Sequence, residues 1–315
     1  MDLDASGQGM GTDLSGSSQV TRQTGEEAAR WQGRPGEQPG TDEKGQEGED
    51  REMISSTANK QVRQVVELAK KARVRREEGL YVVEGVRMCR ELEPEKIRAL
   101  YVSESFLASK EHRDFLSGLS WEPVTDTVMK VMADTQTPQG ILALVRQDHY
   151  TLSDLLSRPG EAHLLLLETI QDPGNLGTIL RAGEGAGITG IVMDRATVDI
   201  YNPKVIRSTM GSIFRVPFVY VEDLKDACAQ LKAAGIPVLA AHLRGELPYD
   251  RADLAGPFAF LIGNEARGLR EETAALADIL VRIPMEGQVE SLNAAVAASI
   301  LMFEAARQRR SIRKK

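Results

Sequence analysis

Three segments in the C-terminal half combine glycine with polar side chains that could bind a ligand and act on it. Each includes or follows a short apolar run typical of a buried strand; they read ETIQDPGNLGTILRAGEGAG (168–187), FLIGNEARGL (260–269) and IPMEGQVESLNAAVAASI (283–300). Open α/β sheets bind ligands beyond the carboxyl ends of their strands, so we expect the three segments to meet at one sheet edge. Glycine permits close backbone approach, and the pattern therefore predicts a binding site with little side-chain bulk.

Each segment by itself also has an ordinary structural explanation. Asn175 could cap a helix and Arg181 could form a surface ion pair, while the third segment could be a packing helix with a Ser291 cap. A dinucleotide site is excluded, because the glycines of RAGEGAG have GxGxG spacing and lie at the end of a helix. The three segments together, in this order, favour a site that carries chemistry.

A net charge of −7 would argue against nucleic-acid binding if it were spread over the whole chain, but it is concentrated in one segment. Residues 1–52 contain 12 acidic and 5 basic residues, so this segment carries all of it and the remainder is neutral. Ten of the 28 glycines also lie there, with almost no periodic apolar residues. A segment of this composition cannot bury enough surface to offset its ordering entropy, and we expect 1–52 to be a disordered tail.

Composition limits the class of protein. With 42% hydrophobic and 27% charged residues and no apolar run near the roughly 18 residues of a membrane span, we expect a soluble chain with no membrane partner. The N-terminus lacks the features of a secretory signal, so the expected location is cytoplasmic. Cys89 and Cys228 cannot form a disulfide framework, and no His or Cys spacing suits a metal, so no metal is expected.

The remaining sequence divides into two predicted α/β domains. The first, at 53–146, opens with a helix over 54–76, and a polar linker over 147–160 follows it. The second, at 161–315, alternates strand and helix signals, which indicates a mainly parallel sheet with helices on both faces. Its strands are predicted at 163–168, 189–194, 214–221, 236–241, 258–263 and 279–284.

The first predicted helix is strongly basic. Its cations favour contact with phosphates, although a solvated helix face is the competing interpretation. The candidate contacts are Lys60, Arg63, Arg73 and Arg75.

The three segments closely resemble the motifs of the SpoU, or TrmH, family of RNA ribose 2′-O-methyltransferases. The resemblance covers about 54–315 and is most specific in SLNAAVAAS at 291–299. It implies a SPOUT α/β sheet whose C-terminal segment threads through a loop to form a deep trefoil knot, a rare feature that periodicity cannot predict. It also implies S-adenosylmethionine (SAM) as the cofactor, held largely by backbone groups, with pocket positions at Gly263, Ile283 and Leu292 and further candidates at Met285 and Ala241.

The reaction that the resemblance implies assigns roles to the polar residues. A ribose 2′-hydroxyl must lose a proton as it attacks the sulfonium methyl, so the site needs a group that stabilises negative charge. Arg181 is the best candidate. Because a free guanidine is scarce at neutral pH, Arg181 is favoured as a charge stabiliser rather than a base, unless a phosphate takes the proton. The other polar motif positions orient Arg181, the ribose or the knot backbone; they are Asn175, Glu265, Ser291 and Asn293.

The resemblance also extends to the substrate. YVVEGVRMCREL at 81–92 is similar to the L30e-like domain, related to ribosomal proteins, that precedes the knot in members acting on ribosomal RNA (rRNA). Members acting on transfer RNA (tRNA) usually lack it, so rRNA is favoured over tRNA as the partner. The family also implies a homodimer formed through the knot domain. Lys204, Arg207 and Ser208 resemble an RNA-facing segment of the family, although a basic helix face would also explain them.

Two other functions stay open. The chain could be an enzyme of the same fold that acts on tRNA or on a base atom, or a non-catalytic RNA-binding ribosome-assembly factor. Asn175 and Arg181 favour ribose over base chemistry, and a pure binder has no need of the SAM-pocket positions. A SAM-dependent methyltransferase acting on a ribose of rRNA is therefore the leading hypothesis.

Overall fold

A computed structural model of the chain describes residues 52–158, 161–289 and 291–312, so nearly all of the predicted disordered tail lies outside the described residues. The N-terminal part contains four strands: β1 (Leu80–Glu84), β2 (Ile97–Ser103), β3 (Glu122–Val124) and β4 (Ile141–Arg146). They form one sheet in the order β1-β4-β2-β3, in which β2 and β3 are parallel and the other neighbours are antiparallel.

Helices cover both faces of this small sheet. They are α1 (Lys60–Lys70), α2 (Ala72–Glu78), α3 (Val86–Arg90), α4 (Glu104–Leu107), α5 (Lys110–Phe115) and α6 (Asp126–Met132). One face packs against α1 and α6, where Val62, Val65 and Leu68 are fully buried. Residues of the other face, among them Tyr81 and Val83, belong to the same apolar core as the second part of the chain.

The prediction of one helix over 54–76 is wrong. The first helix begins only at Lys60, because Asn59 accepts a hydrogen bond from the backbone N–H of Gln61 and caps it. Lys71 then adopts an extended conformation that separates α1 from α2, and Gly79 ends α2 in the left-handed region. The predicted basic face is therefore divided between two short helices.

The second part is built on a larger sheet. Its strands are β5 (His163–Leu167), β6 (Gly190–Asp194), β7 (Phe218–Val221), β8 (Val238–Ala241), β9 (Leu247–Pro248), β10 (Phe258–Ile262) and β11 (Ile279–Arg282). They are ordered β7-β6-β5-β10-β8-β11-β9, and every neighbouring pair is parallel, which agrees with the predicted mainly parallel sheet. The strand predicted over 214–221 is shorter than expected, because a 3₁₀ turn over Ser212–Phe214 precedes it.

Helices lie on both faces of the large sheet, which confirms the α/β class. They are α7 (Leu152–Leu156), α8 (Pro173–Ala186), α9 (Pro203–Thr209), α10 (Leu224–Ala233), α11 (Glu271–Ala274) and α12 (Ala294–Ile312). Residues of α8, α9 and α12 form the core on one face, and those of α7, α10 and α11 form it on the other. The last helix does not begin at a Ser291 cap; Asn293 Oδ1 accepts from the backbone N–H groups of Ala295 and Val296.

The strand order contains one unusual insertion. Although β8 and β9 follow one another in sequence, β11 lies between them and pairs with both. The connection from β8 to β9 therefore crosses β11, and Gly245 makes the crossing possible. A Cβ atom at Gly245 would lie 2.7 Å from the Val281 carbonyl carbon. The loop from β8 to β9 thus passes over a strand that comes later in the chain, while the knot itself stays a prediction.

A buried ion pair joins the two parts. Arg75, at 3% exposed, donates from Nε and Nη2 to Asp199 Oδ2 at 2.8 and 2.6 Å, and from Nη1 to the carbonyl of Leu68 at 2.6 Å. The interpretation of Arg75 as an RNA contact is therefore wrong. Its guanidinium is a structural cation inside the protein and has no surface to offer a phosphate.

We expect Arg75→Met to lower the free energy of unfolding by about 3 kcal/mol, because it leaves the Asp199 carboxylate without its partner in a site that is largely desolvated. Arg73→Met is the matched control, since the Arg73 side chain is 82% exposed and pairs only with Glu77. The control should change stability by less than about 0.5 kcal/mol. Equal denaturation midpoints for the two variants in urea would contradict the structural role of Arg75.

Candidate active site

A cleft of about 570 Å³ opens at the carboxyl ends of β8, β10 and β11. This volume lies within the roughly 300–1,000 Å³ of small-molecule sites. All five residues that the resemblance assigned to the cofactor pocket line the cleft, together with Glu265 and Ser291; the five are Ala241, Gly263, Ile283, Met285 and Leu292. The predicted meeting of the second and third segments at one sheet edge is therefore observed.

The lining of the cleft suits SAM. Ile283, Met285 and Leu292 give the cleft an apolar wall that could hold a flat adenine ring, and Glu265 and Ser291 add polar atoms to its lining. Other lining residues were not predicted from the sequence, among them His242, Asn264, Arg267, Ala294 and Ala297. Ala294 and Ala297 had a detectable signal, since positions three apart on a helix share a face and both carry small side chains.

Gly263 allows the tight loop at the base of the cleft. A Cβ atom there would lie 2.2 Å from the backbone nitrogen of Leu269 and 2.3 Å from the carbonyl carbon of Gly268. The backbone of Asn264 exchanges hydrogen bonds with that of Gly268, and the Asn264 side chain accepts from the backbone N–H of Ala266 at 3.0 Å. The close backbone approach predicted for Gly263 is thus a contact with the backbone of its own loop, at Gly268 and Leu269.

Glu265 connects this loop to the first segment. Its Oε1 accepts from the Nδ2 of Asn175 at 3.1 Å and from the backbone N–H of Asp172 at 3.0 Å. Both carboxylate oxygens also lie 3.2 Å from the backbone nitrogen of Gln171. The carboxylate therefore holds the start of α8, where Asp172 Oδ1 accepts from the Asn175 N–H as the helix cap.

Electrostatics favours the ionised form of Glu265. Partial burial acts to raise the pKa of its carboxyl, but hydrogen bonds from Asn175, Asp172 and Gln171 outweigh desolvation and lower it below its ordinary value. A carboxylate that several donors stabilise is a weak base. Glu265 is therefore suited to positioning the loops and poorly suited to removing a proton.

Asn293 joins the third segment to the same network. Its Nδ2 donates to Asn175 Oδ1 at 2.9 Å, while its Oδ1 caps α12. Asn175 is consequently held by Glu265 on one side and by Asn293 on the other. The structure thus brings together three of the five predicted catalytic positions, and Ser291 lies in the adjoining cleft.

A second buried carboxylate supports the loop after β10. Glu168, only 1% exposed, accepts from Arg270 Nε at 2.7 Å and from the Arg270 backbone N–H at 2.9 Å. It also accepts from the hydroxyl of Thr273. These bonds tie the end of β5 to the start of α11 and close the loop that carries Glu265. This role of Glu168 was not predicted from the sequence.

Arg181 lies apart from this network. It is exposed on α8, six residues or about 9 Å along the helix axis from Asn175, and it forms no hydrogen bond or ion pair with the described part of the chain. Because no internal carboxylate neutralises it, its guanidinium is available to a ligand. The structure gives no contact by which Asn175 or Glu265 would orient it.

The predicted RNA-facing segment forms α9, which crosses α8 at very short distance. A Cβ atom at Gly177 would lie 2.4 Å from Ser208 Cβ and 2.9 Å from the Val205 carbonyl oxygen. Ser208 donates its hydroxyl to the carbonyl of Lys204 within α9. Lys204 itself is exposed, with Nζ 3.9 Å from Asp172 Oδ2, and therefore lies beside the start of α8.

The other predicted RNA contacts lie elsewhere on the surface. Lys60 and Arg63 are exposed on α1, and Arg73 on α2 donates to Glu77 at 2.6 Å. Across residues 52–158, 161–289 and 291–312, no cluster of three or more His, Cys, Asp or Glu side chains has the arrangement of a metal site. In these same ranges no helix has the length and apolar character needed to cross a membrane.

Comparison with known proteins identifies both parts of the chain. Residues 162–303 match the SpoU rRNA Methylase family, and residues 59–143 match the MRM3-like substrate binding domain. The chain is 30% identical over 254 residues to the 23S rRNA (guanosine(2553)-2′-O)-methyltransferase RlmP of Bacillus subtilis, covering 80% of this chain and 98% of that protein. It is 31% identical over 242 residues to the 23S rRNA (guanosine-2′-O-)-methyltransferase RlmB of Vibrio vulnificus, covering 74% and 97%.

Solved structures agree with these relatives. The rRNA methyltransferase of Sinorhizobium meliloti, with bound AdoMet (another abbreviation for SAM), superposes with a TM-score of 0.71 at 31% identity. The match covers 81% of this chain and 97% of that one. The SpoU methyltransferase AviRb of Streptomyces viridochromogenes, in complex with the cofactor AdoMet, superposes with a TM-score of 0.73 at 30% identity, covering 80% and 99%. From its three converging segments and these relatives, the chain belongs to the SpoU rRNA methylase family.

Proposed function

We propose that this protein transfers the methyl group of SAM to a ribose 2′-hydroxyl of rRNA. The observation that carries the proposal is the joining of three distant segments by Glu265, Asn175 and Asn293 beside a cleft that fits SAM. A protein that only bound RNA would need neither the cleft nor the network. An rRNA substrate also makes the cytoplasm the expected location.

Bound SAM would supply an electrophilic methyl group. The chain then has to hold the acceptor ribose in line with that methyl and stabilise the negative charge that grows on the 2′-oxygen. The network around Asn175 keeps the cleft and α8 in one arrangement, and the unpaired guanidinium of Arg181 supplies positive charge without competition from an internal carboxylate. Arg181 is therefore the proposed catalytic residue, and Glu265 and Asn293 are positioning residues.

The choice of rRNA rests on the N-terminal part. This part matches a substrate-binding domain. The chain also matches nearly the whole length of two relatives that are named for 23S rRNA methylation. Both matches support rRNA over tRNA. Structured RNA is recognised through shape and through unstacked nucleotides over an extended surface, which a second domain provides.

We also propose a homodimer formed through α8 and α12. Val296 and Phe303 of α12 are 48% and 45% exposed and lie seven residues apart, on one helix face. Phe303 lies against Gly185 of α8, and Gly185 shares its exposed face with Arg181 four residues earlier. A second copy that covered these apolar side chains would bring Arg181 to the edge of the subunit interface.

We expect Gly263→Ala to weaken SAM binding more than tenfold by isothermal calorimetry, because the added methyl forces the loop at the base of the cleft to open. Gly256→Ala is the control, since a Cβ at Gly256 meets no atom within 4 Å. It should bind SAM like the unmodified protein. Absence of SAM binding by the unmodified folded protein would refute the enzymatic function itself.

Cells that lack the gene should lose a single 2′-O-methyl group from rRNA, detected by mass mapping of ribose methylation in rRNA and tRNA. The unmodified gene should restore it, and Arg181→Ala should not, although the purified variant should bind SAM with nearly unchanged affinity. Arg251→Ala, an exposed arginine in another part of the structure, is the control and should restore methylation. An unchanged methylation map would contradict the proposal, and loss of SAM binding in Arg181→Ala would contradict its assigned role.

We expect Phe303→Glu to convert the dimer into monomers in light scattering, because a carboxylate would be desolvated in the apolar interface. Lys225→Glu, on the exposed side of α10, is a control for added negative charge. A dimer that persists in Phe303→Glu at micromolar concentration would exclude this face as the interface.

A further inference from the structure

Two cations on α9 each face a carboxylate from a different part of the protein. Lys204 and Arg207 lie three residues apart and share one helix face. Lys204 is near Asp172 at the start of α8, and Arg207 Nη1 lies 2.6 Å from Asp134 Oδ2 in the N-terminal part. The strip formed by Lys204 and Arg207 therefore runs from the candidate active site to the junction between the two parts.

The Arg207–Asp134 pair differs in kind from the buried pair that joins the same two parts. Arg75 and Asp199 are 3% and 19% exposed and are held by several hydrogen bonds. Arg207 and Asp134 are 34% and 45% exposed, and they share a single hydrogen bond. An exposed single contact contributes little to stability, so an incoming anion can replace it at small cost.

Hydrogen bonds of its backbone and of the next residue hold Asp134 in position, while its carboxylate bonds to Arg207. Its backbone N–H donates to Glu84 Oε2 at 3.1 Å, and the hydroxyl of the next residue, Thr135, donates to the same carboxylate. Within the described chain, the Asp134 carboxylate bonds only to Arg207. It is thus an acceptor presented to a guanidinium at a fixed place, with no role in capping a helix or satisfying a backbone group.

We propose that Lys204 and Arg207 bind a backbone phosphate of the substrate RNA, and that Asp134 occupies this phosphate position in the RNA-free protein. The inference rests on the proposed function and deepens it by naming a substrate-binding subsite. Arg207 uses one nitrogen on Asp134, whereas a phosphate can accept from two and also attract Lys204. The neighbouring Asp172 donates its backbone N–H to Glu265, so a phosphate at this strip would lie beside the network that holds Asn175.

Asp134 could compete with phosphate for Arg207, or it could mainly fix the two parts relative to each other, and these two roles predict opposite effects of removing its charge. If Asp134 competes with phosphate, Asp134→Asn should lower the KM for RNA by about two- to fivefold, the value of one exposed ion pair. If the pair mainly fixes the two parts, the same change should raise the KM. Arg207→Gln should raise the KM about tenfold and reduce the slope of log affinity against log salt by about 0.7, the contribution of one single-strand phosphate contact.

The experiment measures steady-state initial rates of methyl transfer to a 23S rRNA transcript over a range of RNA and salt concentrations, for the full chain with saturating SAM. In the Arg207→Gln background, Asp134→Asn should lose its effect on KM, because the phosphate would no longer bind at this position. SAM affinity and the maximal rate should stay unchanged in all three variants. A higher KM in Asp134→Asn, or an equal gain with and without Arg207, would overturn the proposal.

Glu67→Gln is the matched control. It removes one charge from an exposed ion pair in the same part of the chain, with Lys71 at 2.7 Å, but on α1. It should leave the KM unchanged. An equal decrease in KM would mean that net charge, or the basic face of α1, governs RNA binding and would overturn the proposal. Absence of methyl transfer by the unmodified protein would instead contradict the proposed function.

Discussion

The carboxylate of Glu265 is the constraint on which the candidate site depends. It lies in a loop after β10, and it holds the start of α8, 90 to 94 residues earlier in the chain, through Asn175 and two backbone N–H groups. Asn175 in turn accepts from Asn293, whose other amide atom caps the last helix. A branched network of hydrogen bonds thus couples all three segments, and its centre is the Glu265 carboxylate, which accepts from several donors. The orienting role expected of Glu265 is thus directed at the loops of the site, which its carboxylate links into one unit.

The junction between the two parts has a different role, which is to keep them in one relative arrangement. An RNA that contacts both parts is positioned only if they keep one relative arrangement, and a continuous apolar core with the buried Arg75–Asp199 pair provides this. A buried pair is a poor source of net stability, because desolvation of both charges offsets their attraction. It does penalise any arrangement that separates the charges. The exposed Arg207–Asp134 pair carries no such penalty, so rigidity and exchangeable contacts are supplied by different residues at the same junction.

Much of this architecture could be predicted from the sequence, and the errors have physical causes. Continuous apolar runs such as HLLLL at 163–167 predict buried parallel strands, and their positions were nearly right. The break at Lys71 was not predictable, because no glycine or proline marks it in the sequence. Ser291 and Asn293 are both good cap residues, and only the path of the chain decides which one reaches the free N–H groups. Arg75 looked like its exposed neighbours because its partner, Asp199, is 124 residues away.

At the glycines, the structure differs most clearly from what the motif suggests. A glycine-rich segment at the end of a strand suggests room for a ligand, yet the space beside Gly263 is filled by its own loop, and the space beside Gly177 is filled by α9. Both positions therefore lack side chains because two backbones must touch. Those contacts set the distance between the loops and helices, and the cleft is the volume that remains between them. A larger residue at either position would change the binding site without touching a ligand. The small residues of these segments are accordingly requirements of the fold first, and through the fold they become requirements of the site.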